Sequence, residues 1–350
     1  MSTGPDILVV SLGTTLGWRT IDSAFVRQLE RAGVRVAAVS VGLGATDRLR
    51  RGYPLNDLVE MFASRRATRS AAARERPRAV VLCSTTAAML VPALDSPYAV
   101  RLDAPAAMNR PGARNALLHV LERRALGRAR LVLPMSVAGR DALPAGAAPS
   151  VVVPPPIEPS GPRADAAEPL AVAYVPDPKA KGLDIVVQGW AAAGVERGRL
   201  EVYGVDPRRA REYMRRYGAA EPTGMELRGT VPAAAFRARM REARVYVGGA
   251  RWEDFGQAPL EALADGALLA TVSSGGPFEA LRLARELEPE LVAEGIRPDA
   301  LGAAIRAAFA LPEERIRAYR GRTEELLRPY RSEAVEATVS REVVPALLGR

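Results

Sequence analysis

The stretch DILVVSLGTTLGWRTIDSAFVRQLERAGVRVAAVSV, residues 6–41, sets the fold class. Asp6–Ser11 is a short apolar run followed by a turn that holds Gly13 and Gly17, which reads as a buried strand entering a βα turn. A helix over about 20–32 and a second strand over Val34–Val41 complete a βαβ unit, so the sheet is parallel. Working outward, strand candidates follow at 79–83, 98–102, 130–133 and 151–153, separated by helical stretches, notably 54–76 and 113–126. This is a doubly wound α/β domain. The proline-rich segment PPPIEPSGPRADAAEP, 154–169, reads as a linker. The rhythm then restarts with LAVAYV (170–175), the turn PDPKAKG, a helix through about 193 and RLEVYG (199–204). Strands near 225–228, 244–248 and 268–272 follow, and 312–348 reads as two helices separated near Pro329. The expected organisation is a first Rossmann-like domain over 1–155, a linker over 156–169, a second Rossmann-like domain over 170–325, and a terminal helix over 326–350 that packs back on the first domain.

Composition suits two ordered domains: 350 residues, 48% apolar and 25% charged. No stretch is long and apolar enough to cross a bilayer as one helix. The start, MSTGPDILVV, has no basic lead before its first strand, and a cytoplasmic protein is the expectation. Cys83 and His119 are single residues of their kinds, so no Cys/His set is spaced for zinc and no metal is expected. Cys83 reads as a small core residue, and His119, on a helix beside Glu122, as a packed or surface histidine. Charge is uneven. Residues 1–165 hold 22 Arg against 13 acidic residues, whereas the second half is neutral. Nine Arg cluster in 47–78, which is either a solvated helix face or a surface for an anionic partner such as the inner face of a membrane.

The chemistry concentrates in ARWEDFGQAPLEALADGALLATVSSGGPFEAL, 250–281. Glu253 and Glu261 flank a turn with Gly256, and a helix opens at Pro259, a residue suited to a first helical turn, and ends at Gly266. The unpaired N–H groups and partial positive charge of that helix start suit a diphosphate. Carboxylates beside a phosphate site make sense for hydroxyls, because they accept hydrogen bonds from the diols of a ribose or a sugar. The chain's only two lysines, Lys179 and Lys181, stand together in AYVPDPKAKGLDIVVQGW, 173–190, at the turn that opens the second domain. They are either solvated surface cations or anion ligands.

These segments resemble the retaining glycosyltransferases of group 1, also called family 4, which have the two-domain GT-B fold. The family's E-x7-E pattern, EGFG…LEAMA.G.P with a following Gly-Gly turn, stands here as EDFGQAPLEALADGALLATVSSGGPFE, 253–279. The resemblance implies two Rossmann-like domains with a cleft between them and a nucleotide-sugar donor held by the second. It assigns Glu253 to hydroxyls of the transferred sugar, the Phe255 and Gly256 backbone to sugar and phosphates, and Glu261 to the ribose. Gln257 and the Gly275-Gly276 turn complete that set. Lys181-Gly182 match the family's KG pair, but its usual Arg five residues earlier is replaced by Pro176, leaving Lys179 as the second cation. The resemblance spans about 110–285, and the first hundred residues match only in pattern. Where the family often carries a histidine near the reacting sugar, this chain has Arg101-Leu102-Asp103, and Asp103 is the candidate contact there. Gly13 is a candidate for bringing backbone N–H groups near donor phosphates.

The expected activity is therefore metal-independent, cofactor-free transfer of a sugar, with retention, from a UDP- or GDP-sugar to a glycolipid, polysaccharide or small metabolite. Glu253, Lys181 and Asp103 carry the catalytic expectation. Two other readings stand beside it: a GT-B protein that binds without turnover, motivated by Pro176 and the missing histidine, and a basic nucleic-acid-binding protein. The latter would interleave aromatics with its arginines, yet 47–78 contains only Tyr53 and Phe62, so no nucleic acid is expected.

Overall fold

A computed structural model of the chain describes residues 4–13, 16–43, 55–164 and 169–349. It divides into two compact units, one containing the chain up to Pro156 and again from Tyr330, the other Ile157–Pro329.

The first unit is a five-stranded parallel sheet: β1 (Ile7–Ser11), β2 (Val36–Ser40), β3 (Ala79–Leu82), β4 (Tyr98–Leu102) and β5 (Leu131–Pro134). Its order is β2-β1-β3-β4-β5, so the winding direction reverses between β1 and β3. The central strands are buried on both faces, which is why they read as unbroken apolar runs. Helices α1 (Leu16–Arg31), α2 (Leu55–Glu75), α3 (Thr85–Met89), α4 (Ala106–Asn109), α5 (Ala116–Arg128) and α6 (Val137–Asp141) make the connections.

Residues 151–153 are not the expected strand. They run extended beside β5, Val151 and Val153 donating backbone hydrogen bonds to Val132 and Pro134, and a lone bridge joins Val132 to Ser150. Pro149 before them and Pro154-Pro155-Pro156 after them have no N–H, so a longer ladder cannot form.

The second unit carries six parallel strands: β6 (Leu170–Tyr174), β7 (Arg199–Tyr203), β8 (Met225–Gly229), β9 (Val245–Gly248), β10 (Leu268–Val272) and the two-residue β11 (Val292–Ala293). The order β11-β10-β9-β6-β7-β8 is, from its far edge, the 3-2-1-4-5-6 winding of dinucleotide-binding sheets. Direction reverses between β6 and β9, and in open α/β sheets ligands bind at the carboxyl ends of the strands that flank such a reversal. Helices α7 (Leu183–Ala193), α8 (Pro207–Arg216), α9 (Ala233–Glu242), α10 (Gln257–Ala264), α11 (Glu279–Leu287), α12 (Pro298–Ala310) and α13 (Glu313–Leu327) complete the unit. A fully buried carboxylate, Glu201 in β7, is held by Arg228, Arg239 and the Tyr203 hydroxyl. Those hydrogen bonds outweigh the burial that would raise its pKa and hold it at about 2.

The chain's last helical stretch consists of α14 (Ser332–Thr338), a π turn (Val339–Val343) and α15 (Val344–Leu348). The π turn ends two residues before Pro345, which has no N–H for the carbonyl four residues back. Val335, Val339, Val343 and Leu347 share one core with Phe25 and Leu29 of α1 and with Ile7 and Val9 of β1. Arg130 closes the end by donating to the Ala346 carbonyl at 2.8 Å. No described helix is long and apolar enough to cross a membrane.

Candidate functional site

The reversal between β6 and β9 is where the second unit gathers its candidate residues. The chain leaves β6 through Val175 and Pro176 into a tight turn in which Asp177 Oδ1 accepts from the amides of Lys179 and Ala180, each at 2.9 Å. The turn ends at Gly182, whose φ is +61°, and a β-carbon there would lie 1.9 Å from the Gly249 carbonyl oxygen just beyond β9. Only glycine allows that approach, which sets the start of α7 directly against the end of β9.

Lys181 Nζ then meets both carboxylate oxygens of Glu253, at 2.6 and 2.7 Å. The two residues are 72 positions apart in the chain, and the Glu253 side chain is only 13% exposed. Burial raises the Glu253 pKa above its usual value, and the Lys181 ammonium opposes that rise.

Glu253 is held from behind by the turn after β10. Its amide donates to the Gly275 carbonyl at 3.1 Å, and Trp252 and Gly275 form a parallel bridge. A β-carbon on Gly276, with φ +102°, would fall 2.1 Å from the Glu253 carbonyl oxygen. The Gly-Gly pair thus lets two loops lie backbone to backbone under the carboxylate.

The next residues form the amino end of α10. Phe255 is buried, and its carbonyl accepts from the Glu279 amide, while the Phe278 ring fills the space beside Gly256, the N-cap. The helix opens at Gln257, two residues before the expected start at Pro259, so Pro259 is its third residue. The amides of Gln257 and Ala258 have no acceptor within the helix, and Pro259 has no amide to satisfy. Gly266 and Ala267 close the other end by donating to Leu263 and Ala262, which is a Schellman cap. Glu261 lies one turn into α10, accepts from Gln257 at 2.9 Å and pairs with Arg237 at 3.5 Å. Burial raises its pKa, with Arg237 and Gln257 acting against the rise.

Lys181, Glu253, Phe255, Gly256, Gln257, Glu261, Gly275 and Gly276 all lie in loops or helix starts that follow β6, β9 and β10. Lys179 shares the first loop, where its side chain is exposed. Asp103 and Gly13 belong to the other unit. Asp103 follows β4, is half-buried, and its carboxylate accepts from the Ala104 amide at 2.6 Å. Gly13 follows β1 and accepts from Arg19 at 3.2 Å. His119 lies on α5, with Nε2 2.9 Å from the Arg110 carbonyl, and buried Glu122 accepts from the Ala106 amide at 2.8 Å. Arg101 is buried against Asp22 and stacks on Phe25.

Sequence reasoning did not find Arg251. It chelates Asp184 of α7 at 2.6 and 2.9 Å, donates to the Lys179 carbonyl at 3.0 Å, and its own amide donates to the Ala180 carbonyl. It staples the lysine turn to the end of β9. Arg237 was missed too, although it links Glu261, Asp265 and the Glu158 carbonyl. Among 47 arginines neither carries a local signal.

No protein-family model matches the chain, and no curated protein matches its sequence. Solved structures match its fold over nearly their whole length. A sucrose-phosphate synthase from Thermosynechococcus elongatus superposes with a TM-score of 0.73 at 17% identity, covering 96% of this chain and 97% of its own. An α,α-trehalose-phosphate synthase (UDP-forming) from Burkholderia xenovorans, in complex with glucose-6-phosphate, gives 0.74 at 12% identity over 96% and 99%. An E. coli structure described as "Trehalose-6-phosphate from E. coli bound with UDP-2-fluoro glucose" gives 0.70 at 11% identity over 97% and 98%. Likeness at such identities is one of fold: the chain is built from two Rossmann-like domains, the GT-B fold, as these synthases are.

Proposed function

We propose that the chain is a glycosyltransferase that takes a sugar from a nucleotide-sugar donor, with the donor held at the β6/β9 reversal of the second unit. The observation that carries this reading is the chelated Lys181–Glu253 pair at the strand ends where a doubly wound sheet binds its ligand. The pair supplies the two chemistries such a donor demands. An ammonium neutralises a diphosphate, and a carboxylate accepts hydrogen bonds from sugar hydroxyls. Without a ligand they neutralise each other; a diphosphate arriving beside Lys181 and the amides of Gln257 and Ala258 takes over the ammonium and frees the carboxylate for hydroxyls. Glu261, one turn deeper, is assigned to the ribose diol.

In the reaction the bond between the anomeric carbon and the diphosphate oxygen breaks, its electron pair leaving with the diphosphate. The acceptor hydroxyl oxygen bonds to the same carbon and its proton passes to the departing phosphate. Attack on the face the leaving group vacates retains configuration. Lys181 and the α10 amides stabilise charge as it grows on the leaving group, and they are in place before the reaction. The E. coli structure's bound UDP-2-fluoro-glucose and the Burkholderia structure's bound glucose-6-phosphate make a UDP-sugar and a phosphorylated sugar the first donor and acceptor to test. Asp103 and Gly13 are proposed as the first unit's contacts with the reactants. A cytoplasmic location, at the inner face of a membrane, belongs to the same proposal.

The test is release of nucleoside diphosphate from a panel of UDP-, GDP- and ADP-sugars with sugar-phosphate and lipid acceptors. One donor should turn over in wild type, and Glu253→Gln should cut kcat by about a hundredfold or more, as for loss of one transition-state contact. Tight donor binding with no turnover for any acceptor would replace the enzyme by a binding protein.

A further inference from the structure

Among the described residues eight large apolar side chains are exposed, and five of them, Leu55, Leu58, Phe62, Leu117 and Val120, lie on just two helices of the first unit. Phe62, Leu117 and Val120 are 62%, 68% and 57% exposed. The two helices pack on either side of α3: Met61 of α2 and Leu118 of α5 share one small core with Met89 of α3 and with Ala106, and Arg110 just ahead of α5 donates to Asp57 of α2 at 3.1 Å. The five side chains therefore lie toward the amino ends of two helices that flank α3, an apolar patch in two parts rather than residues scattered singly over the surface.

Its place in the fold is specific. α2 returns the chain from β2 to β3, and α5 returns it from β4 to β5, so both run against the parallel strands. Their amino ends, where the patch lies, are at the carboxyl end of the sheet, the end that carries Gly13 and Asp103.

Each helix repeats one pattern. On α2 the apolar positions 55, 58 and 62 continue along the same face into the exposed arginines 65, 66 and 69. On α5 the positions 117 and 120 continue into exposed Arg123 and Arg124. Four residues separate Phe62 from Arg66 and Val120 from Arg124, about 6 Å along each axis. The arginines thus form a tier about one helical turn behind an apolar tip. The nearby carboxylates are committed: Asp57 to Arg110, Glu122 to the Ala106 amide, and Glu60 is half-buried with a partner of its own. Arg66, Arg69, Arg123 and Arg124 have no carboxylate partner among the described residues. Three more arginines, at 48, 50 and 51, precede α2 in the chain and lie outside the described residues.

We propose that this end of the first unit seats on an anionic phospholipid bilayer. The apolar tip enters the boundary between headgroups and acyl chains, where interfacial helices bury their apolar faces to about 5–10 Å, and the arginine tier meets the headgroup phosphates at that depth. A second copy of this chain fits the face poorly, since two arginine tiers would oppose each other. The proposal concerns the first unit's surface and holds for any acceptor.

The full-length protein is tested by co-sedimentation with phosphatidylcholine vesicles with and without phosphatidylglycerol. Wild type should pellet only with the anionic vesicles and be released by salt. Arg66→Gln with Arg69→Gln should weaken binding about fivefold per charge, and Phe62→Ser with Leu117→Ser at least tenfold. These side chains are exposed, so both pairs should keep the wild-type thermal transition and the wild-type affinity for a nucleotide-sugar, which separates this proposal from the donor site. It would be overturned by equal binding to both kinds of vesicle, by wild-type binding by both variant pairs, or by no vesicle binding, and a dimer that Phe62→Ser/Leu117→Ser dissolves would then assign the face to a second copy. Retention of an oligonucleotide in preference to vesicles would overturn it in favour of nucleic acid.

Discussion

Replacing Lys181 by Met removes the only cation, among the described residues, within bonding distance of a carboxylate that is 87% covered, since the Glu253 side chain is 13% exposed. Breaking a buried ion pair by deleting one partner costs about 3–5 kcal/mol. Lys181 is itself 29% exposed and water reaches the pair's edge, which lowers the expectation to about 2–3 kcal/mol at neutral pH. For a unit of this size that is roughly 4–12 °C in its thermal transition. The loss should depend on pH. Burial raises the folded pKa of Glu253 above the usual 4.5, with Lys181 opposing, and removing the lysine raises it further. A carboxyl whose folded pKa exceeds its unfolded one binds more protons when folded, so stability falls as pH rises between the two values. In Lys181→Met that window widens upward. The variant should lie near wild type below about pH 4.5, where Glu253 is protonated in both states, and diverge as pH rises. Lys181→Met/Glu253→Gln, with neither charge, should recover to within about 1 kcal/mol of wild type and lose the pH dependence. The assay is calorimetry of wild type, Lys181→Met, Glu253→Gln and the double variant across pH, with the transition of the second unit resolved. Additive single-variant losses, or a pH-independent loss in Lys181→Met, would refute the coupling.

Gly276→Ala should destabilise the second unit by about 1–3 kcal/mol and weaken nucleotide-sugar binding, because its β-carbon would collide with the Glu253 carbonyl; Gly218→Ala, also at positive φ but with open space around it, is the control and should leave binding unchanged. Isothermal titration of both variants checks this. Glu201→Gln should cost about 3 kcal/mol at neutral pH, because a folded pKa of about 2 against 4.5 unfolded adds stability that is present above the higher value and is lost as pH falls toward the lower. Acid titration of unfolding should show the wild-type decline over that range and a flatter variant. Cys83 is buried and its thiol pKa is pushed well above the usual range by that burial, so a thiol reagent should label it only at the rate of unfolding.

Most of the sheet was legible because parallel strands buried on both faces are short unbroken apolar runs, and β4 and β10 stand at the positions their runs imply. The same signal misled at 151–153, where flanking prolines stop a ladder from growing. β11 is two residues long and leaves no pattern to read. Glu201 sits mid-strand with a charge that no strand signal predicts, because the two arginines that hold it come from other elements, Arg228 from β8 and Arg239 from α9. In the candidate site the loops after β6 and β9 were readable from local chemistry: rare lysines, a glycine at a tight approach, a helix start. The direct pairing of Lys181 with Glu253 was not, since it depends on how α7 abuts β9. Arg251 and Arg237 were invisible for the same reason, each acting through partners far away in the chain.

The measurement that bears most directly on the account is titration of wild type, Lys181→Met and Glu253→Gln with UDP-, GDP- and ADP-sugars, followed by heat of binding and by the thermal transition. One donor should bind wild type and stabilise it, by about 2.7 kcal/mol at a hundredfold excess over Kd. Both variants should lose that stabilisation. No binding by any nucleotide-sugar, or binding unchanged in both variants, would contradict a donor site at the β6/β9 reversal.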